Sequence, residues 1–460
     1  MKLPKIKLIF AIKTPSELDE LSHEELLKYT KELQENIEQE KPPKNSSNSS
    51  ISPSSEISKP KRNQSLRGKS DKSSGGQEGH KGNYLKQTDN PDEIVKVEYG
   101  IEECVKCGAN LMEEIEKLKE KRQVIDLDLS KIKAQIIEYQ SYSKECPLCG
   151  YENHDASFPQ YVAPYVCYGK TIMATVSYLS TVHFLSYERI VLALKSLYNI
   201  TLSEGTIDKM IKKTSELTKI EIAKIKEQLE TSDVVGIDET GCKINGKKYW
   251  NWTFQNNNST LIVVDKSRGA KVIEDNFENG FVNASVVHDN YSSYSSLIAK
   301  DEQLCLAHKL RDLNYAIECD DTQVMKDLKL LLQESMLDHK EELLPTQREI
   351  LKESYLETFD FLLKAKSILK SQTQKQINSL KKARDKIFTF LLHPNVPPDN
   401  NGSERAIRNI KVKQKVSGQF KSEDGAECYS NIRSIVDTSR KRGLNEFVVL
   451  QNIIEGNRVF

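Results

Sequence analysis

Residues 233–265 read DVVGIDETGCKINGKKYWNWTFQNNNSTLIVVD, and this stretch decides the fold class. Val234 to Ile237 form an apolar run that ends at Asp238. KKYWNWTFQ and STLIVVDKS follow as short alternating or apolar runs, the pattern of strands. Asn245-Gly246 lies between the first two runs and is the pair that a tight hairpin favours. Working outward, ASVVHDN (284–290) and QLCLAH (303–308) read as further strands, with AKVIEDNFEN (270–279) as a helix among them. Residues 170–230 and about 322–392 are helical in pattern. The expectation is a multidomain α/β chain whose mixed region is interrupted by helices.

Composition narrows the functional classes. The chain has 460 residues with 67 basic and 67 acidic side chains, so its formal net charge is zero. That balance removes the simplest argument for a nucleic-acid partner, a basic pI. No apolar run approaches the ~18 residues of a membrane helix. The apolar patch Leu8–Ile12 is too short for an export signal, and Lys13 follows it at once. A cytoplasmic protein is expected. The zero hides unlike segments, however. Between Lys41 and Ser74 there are eight Lys or Arg and two acidic residues, and Arg405–Lys421 holds six basic residues and no acidic one.

Residues 1–40 are expected to hold an N-terminal helix, with Leu26, Leu33 and Ile37 at helical spacing. The same line serves a short coiled-coil seam or an ordinary amphipathic face. Residues 41–90 form a Ser/Pro-rich basic tract, read as a disordered linker or a phosphate-contacting arm. Residues 98–155 carry Cys104-Val-Lys-Cys107 and Cys146-Pro-Leu-Cys149, each followed by Gly. Two such knuckles present the four thiolates of a tetrahedral structural zinc site. Disulfides are the alternative, and the lack of an export signal speaks against an oxidising compartment. Cys167, Cys242, Cys305, Cys319 and Cys428 are scattered and read as core residues.

Residues 165–232 place two helices around a short YNIT turn. Ser203 is positioned as N-cap of the second, with Thr206 and Lys209 among its early polar positions. A helix-turn-helix DNA reader has this order, and so does plain helix–helix packing. The sharper clue is a set of acids. Asp238 and Asp289 each end an apolar strand, so parallel neighbouring strands would bring both to one edge. Glu404 opens a helix in DNNGSERAIRN. Clustered hard oxygens suit Mg²⁺ or Mn²⁺ and metal-assisted phosphodiester chemistry. Turn residues and a favourable charge at a helix N-terminus are the plainer readings. Arg405, Arg408, Lys411, Lys413 and Lys415 follow at once, as a phosphate-facing surface or a solvated helix face. In CLAHKLRDL, Cys305, His308 and Arg311 fall on one side of a helix start, where His308 could touch a metal or a phosphate, or be structural.

Together these blocks resemble the DDE transposases of the IS66 insertion-sequence family. The resemblance is carried in order by PPKNSSNSS with GGQEGHKG, the paired C-x-x-C segment, VVGIDETGCKINGKKYWNWTF, SVVHDNYSSY, CLAHKLRDL and PPDNNGSERAIRNIKVKQKVSGQFKSEDGAE. It implies an RNase H-like core in two parts, 233–320 and 396–460, split by a helical insertion over 321–395. A zinc ribbon and a helix-turn-helix-like region would precede that core. It further implies Asp238, Asp289 and Glu404 as a metal-holding catalytic triad, and a ribbon and helices that help bind the ends of a mobile element. His308 and Arg311 match a block between the second and third acids, as possible accessory residues. Asn290-Tyr291 departs from the glycine expected after the second acid in many members. The implied activity is metal-dependent DNA cleavage and strand transfer by a nucleoid-associated homo-oligomer, with possible accessory proteins of the same element. A noncatalytic DNA-binding descendant and a nuclease without strand transfer are the competing readings.

Overall fold

In a computed structural model, the described residues are 18, most of 21–49, short pieces between 87 and 169, and 170–460 apart from 290 and 365–370. They belong to two compact units. One holds Met1–Gln64, Ser141–Leu192 and Leu202–Phe460, and the other Ser65–Gln140 and Ala193–Thr201. Most of the linker tract and of the ribbon segment, Cys146 included, lies outside the described residues.

The first unit is built on a five-stranded sheet. Its strands are β3 (Val234–Ile244), β4 (Lys247–Gln255), β5 (Thr260–Asp265), β6 (Phe281–His288) and β7 (Ala299–Leu304), in the order β5-β4-β3-β6-β7. Strands β3 to β5 form an antiparallel meander, while β6 runs parallel to β3 and β7 parallel to β6. Asn245 and Gly246 turn the first hairpin with φ of 46° and 77°, as the sequence predicts. The architecture is mixed α/β and compatible with an RNase H-like core.

Alternation along the strands sorts the two faces. Trp252 and Phe254 on β4 point to one side and are fully buried with Phe277, Phe281 and Tyr294. The Phe254 ring lies 4.8 Å from Phe277, which lies 4.7 Å from Phe281. Helix α6 (Lys271–Asn276) closes that face with Val272 and Ile273. On the other side lie α12 (Asn401–Ser417) and α13 (Glu423–Lys441). The α13 interface is polar: Ser434 Oγ accepts from the Ile262 amide at 2.8 Å, and Thr438 Oγ1 accepts from the Thr260 amide at 3.0 Å.

The helical stretch between β7 and α12 packs into one core with the sheet edge. It comprises α7 (Leu306–Asp320), α8 (Gln323–Asp338), α9 (Pro345–Lys364), α10 (Ser371–Lys382) and α11 (Thr389–Leu392). Leu304, Leu310, Leu328, Phe359, Phe388 and Phe390 belong to that core. Gln303 on edge strand β7 fastens the insertion by side chain, donating to the Ile387 carbonyl at 3.0 Å and accepting from the Phe390 amide at 2.9 Å. A buried amide with both ends paired stabilises a sheet edge that would otherwise be open.

The preceding helices are α2 (Lys170–Thr181), α3 (Tyr187–Tyr198), α4 (Glu204–Leu217) and α5 (Lys219–Glu230). Ser203 caps α4 by accepting from the Thr206 amide at 3.1 Å, the role its position predicts. Helix α4 packs on α2 through Ser177–Thr214 (3.0 Å) and on α13 through Asn431–Ser215 (3.1 Å). Near the N-terminus, α1 (His23–Glu40) opens with a capping box, Ser22 and Glu25 each bonding the other's amide. The side chains of Leu33 and Ile37 lie outside the described residues. Within the tract read as linker, Asn48 is buried and its Nδ2 donates to Glu318 at 2.6 Å. Among the described residues, no helix is long and apolar enough to cross a membrane.

The aromatic cluster is the densest support of the sheet. Replacing Phe254 by Ala should cost about 3–5 kcal/mol, the range for emptying a buried aromatic site. Chemical denaturation of the full chain would read it as a lower midpoint; an unchanged midpoint would contradict the packing described.

Candidate active site

Register carries two of the predicted acids to the same place. Gly236 on β3 pairs with Val287 on β6 in parallel, so Asp238 and Asp289, each two residues further on, emerge at the same edge. Glu404 sits in the first turn of α12, which lies along β3. The three carboxylates lie close enough to act on one another. Burial, then the charges of Asp289, Glu239 and Glu404, push the Asp238 carboxyl well above its usual range, against a single opposing hydrogen bond from the Glu239 amide. Carboxylates that act on one another this way carry a cost to being charged together, and their oxygens are of the kind that a hard divalent cation favours.

Glu404 has further neighbours on α7. His308 Nε2 lies 4.0 Å and Arg311 Nη2 3.6 Å from its Oε1. The Cys305 thiol, His308 and Glu404 offer ligand atoms within 4.8 Å of one another, a possible metal-holding triad. His308 Nδ1 is buried without a hydrogen-bond partner. Burial and the Arg311 charge lower the imidazole's proton affinity, favouring the neutral ring that can act as a ligand. Cys305 is buried, as its core reading predicts. Burial pushes its thiol up to about 12, so it is protonated at neutral pH and suited to hydrogen bonding.

Glu239 is the acid that the sequence reading missed. It is a strand neighbour of Asp238 and so points to the opposite face. There its carboxylate is buried against Arg268, with Nη2 at 2.7 Å, and accepts from the Tyr294 hydroxyl. Burial and the nearby Asp289 charge raise its pKa. Arg268 also stacks on Tyr291, with its guanidinium 3.5 Å from the ring centroid. That stack braces the turn after Asp289, where Tyr291 donates its amide to Asp289 Oδ1 at 3.0 Å. Asn290 lies outside the described residues. The signal for Glu239 was the acidic pair Asp238-Glu239 in a strand, since a charged residue on the inward face needs a cation opposite.

The basic run divides. Arg405, Arg408 and Lys415 are exposed. Lys411 is half-buried and donates to the Gly241 carbonyl at 2.9 Å, while Lys413 is half-buried against Ser180 and the Tyr429 ring. Burial lowers the pKa of both lysines. On α4, Lys209 is exposed and Thr206 is half-buried beside its cap. Close packing holds α12 to the sheet: a Cβ on Gly236 would come within 2.5 Å of Gln255, 2.8 Å of Ser403 and 2.9 Å of Asn400.

In the other unit, Cys104 and Cys107 flank a tight turn closed by Gly108 at φ 69°. The Gly108 amide donates to the Cys104 carbonyl at 2.8 Å, and the amides of Lys106 and Cys107 lower the pKa of the Cys104 thiol. A thiolate-favouring turn is what a zinc ligand needs. Cys149 lies in an exposed turn of the first unit, after the short strand β1 (Ser143–Glu145) and before β2 (Glu152–His154). Cys146 lies outside the described residues.

Among known proteins, the family described as Transposase IS66 family has a model that matches residues 166–428, a span including Asp238, Asp289 and Glu404. No curated protein matches the chain. The match covers more than half of the sequence and joins the helices before the sheet, the sheet itself and the insertion in one span. The chain belongs to the IS66 transposase family.

Proposed function

We propose that the chain is a DDE-type transposase that binds the ends of an insertion sequence and carries out metal-dependent DNA cleavage and strand transfer. The observation that carries this reading is the convergence of Asp238, Asp289 and Glu404 from β3, β6 and α12, with Asp238 disfavoured as an anion until a cation joins it. Family membership implies a DNA substrate, and the sheet order is the scaffold that an RNase H-like core would use.

In this reading Asp238, Asp289 and Glu404 hold Mg²⁺ or Mn²⁺. When bound, such ions activate the attacking oxygen and stabilise the leaving one. The chain's own groups do the rest. Arg311 holds the Glu404 carboxylate in place and offers remaining donors to a phosphate. His308, neutral and with an unpaired Nδ1, stands ready to accept a proton or a ligand bond beside Glu404. Arg268 and Tyr294 keep Glu239 turned away from the cluster. Arg405, Arg408 and Lys415 meet DNA phosphates along exposed α12, and Thr206 with Lys209 offers a second contact on α4. The paired C-x-x-C motifs of the sequence, Cys104/Cys107 and Cys146/Cys149, are the candidates for a structural Zn²⁺. Two element ends cut together call for a homo-oligomer, with α1 as a candidate contact and accessory proteins of the element as further partners.

Incubating the protein with DNA carrying the element's terminal inverted repeats and Mg²⁺ or Mn²⁺ should give cleavage, abolished by Asp238→Asn. Cleavage unaffected by that change would remove the triad from the mechanism. Stability offers an independent check. The folded-state pKa of Asp238 lies above its ordinary 3.8, so the metal-free fold loses stability as pH rises from there through the raised value. Asp238→Asn should therefore raise the metal-free Tm at neutral pH, with the gain shrinking on acidification, and should lose the stabilisation that Mn²⁺ gives the wild type. DNA binding should also separate the basic residues. Arg405→Ala with Arg408→Ala should lower the salt slope of affinity by about two. Lys411→Ala should leave that slope unchanged and lower the Tm, because its amine is held by Gly241.

A further inference from the structure

Each of the three carboxylates follows a residue that is tied, directly or through one atom, to Cys305 or Asn400. His288 precedes Asp289, and its carbonyl accepts from the Cys305 amide at 2.8 Å. Ile237 precedes Asp238, and its carbonyl accepts from Asn400 Nδ2 at 2.7 Å. Ser403 precedes Glu404, and its hydroxyl donates to Asn400 Oδ1 at 2.7 Å. The Glu404 amide itself donates to the Asn400 carbonyl at 3.1 Å. The two hubs are joined to each other, since the Asn400 amide donates to Cys305 Sγ at 3.2 Å. Cys305 is 1% and Asn400 2% exposed, so water does not compete for these bonds.

We infer that Cys305 and Asn400 form a positioning strut that sets the spacing of Asp238, Asp289 and Glu404 and thereby the affinity of that cluster for a divalent cation. The inference rests on the metal-holding reading of the three acids. Neither residue need touch the metal. Asn400 is suited to the task because one planar amide supplies a donor to β3 and an acceptor to α12 at a fixed angle. Its side chain does not cap its own helix, though it occupies the N-cap position, and is turned across to the strand. Gly236 leaves the space into which that amide and Ser403 fit. Cys305 serves as the thiol acceptor that links the β6 side to the α12 side. Its position at the junction of β7 and α7 lets its amide reach the end of β6.

The test is Mn²⁺ binding to the full-length chain, followed by the electron paramagnetic resonance signal of free Mn²⁺, with Tm and circular dichroism measured on each variant. Asp238→Asn is the control for the underlying reading and should abolish the site. Asn400→Ala and Cys305→Ala should each weaken Mn²⁺ binding by about tenfold, as loss of an outer partner does in metal sites. Cys305→Ser keeps an acceptor and should restore binding, a rescue that a thiolate ligand would not allow. Asn400→Asp keeps the volume, removes the donor to Ile237, and serves if the alanine variant does not fold; it too should weaken binding. Wild-type affinity in folded Asn400 and Cys305→Ala variants, with Asp238→Asn inactive in binding, would overturn the strut alone. Equal binding by wild type and Asp238→Asn would overturn the carboxylate reading beneath it.

Discussion

Like charges that must share a small volume are the constraint around which this fold is arranged. Three carboxylates at one sheet edge repel one another, and burial strengthens that repulsion. Left to side-chain freedom they would separate. The structure opposes this with backbone: two parallel strands in fixed register supply Asp238 and Asp289, and a helix pinned across β3 supplies Glu404. The conflict resides in the charges and the restraint in the main chain, an arrangement that suits the cation-holding role proposed for the cluster.

The rest of the architecture can be read as support for that edge. The aromatic cluster of Trp252, Phe254, Phe277, Phe281 and Tyr294 stiffens one face, and Tyr294 reaches from it to hold Glu239. On the opposite face, Lys441 donates to Gln255, Asn256 and Ser259, tying the end of α13 to the turn after β4. Burial pulls that amine down to about 8. Beyond β7, the insertion covers the strand and carries its own core, so the break in the α/β region adds a second packed layer without disturbing the parallel pair. Gln303 is the fastening between the two.

Much of this was legible because strands and hairpins leave local marks. The alternation of KKYWNWTFQ, the Asn245-Gly246 turn and the apolar runs ending in Asp238 and Asp289 each reflect a rule acting within a few residues. The Ser203 cap belongs to the same kind. What escaped was set by distance. Glu239 carried no assignment in the sequence, because the partner to which the pleat turns it, Arg268, lies 29 residues on. Lys411 and Lys413 belong to a run of charge that a sequence treats as uniform, yet helical spacing directs them to Gly241 and Ser180 and leaves Arg405 and Arg408 outward. Asn400 had no local signature at all, because its partners Ile237 and Cys305 lie 163 and 95 residues away.

That difference bears on how the site tolerates change. A carboxylate at a strand end can be kept by local pattern alone, since any apolar run of the right length will present it. The spacing between carboxylates cannot be kept that way, for it depends on side chains in three separate elements meeting at once. Buried polar groups of this kind are costly when half-paired and specific when fully paired. Asn400 is fully engaged, which makes its neighbourhood rigid, whereas His308 retains a buried nitrogen with no partner. Around one cluster, then, the chain holds its acids with satisfied amides and keeps a buried imidazole with one unpaired nitrogen beside them, a division that matches the fixed frame and the receptive partner of the proposed reading.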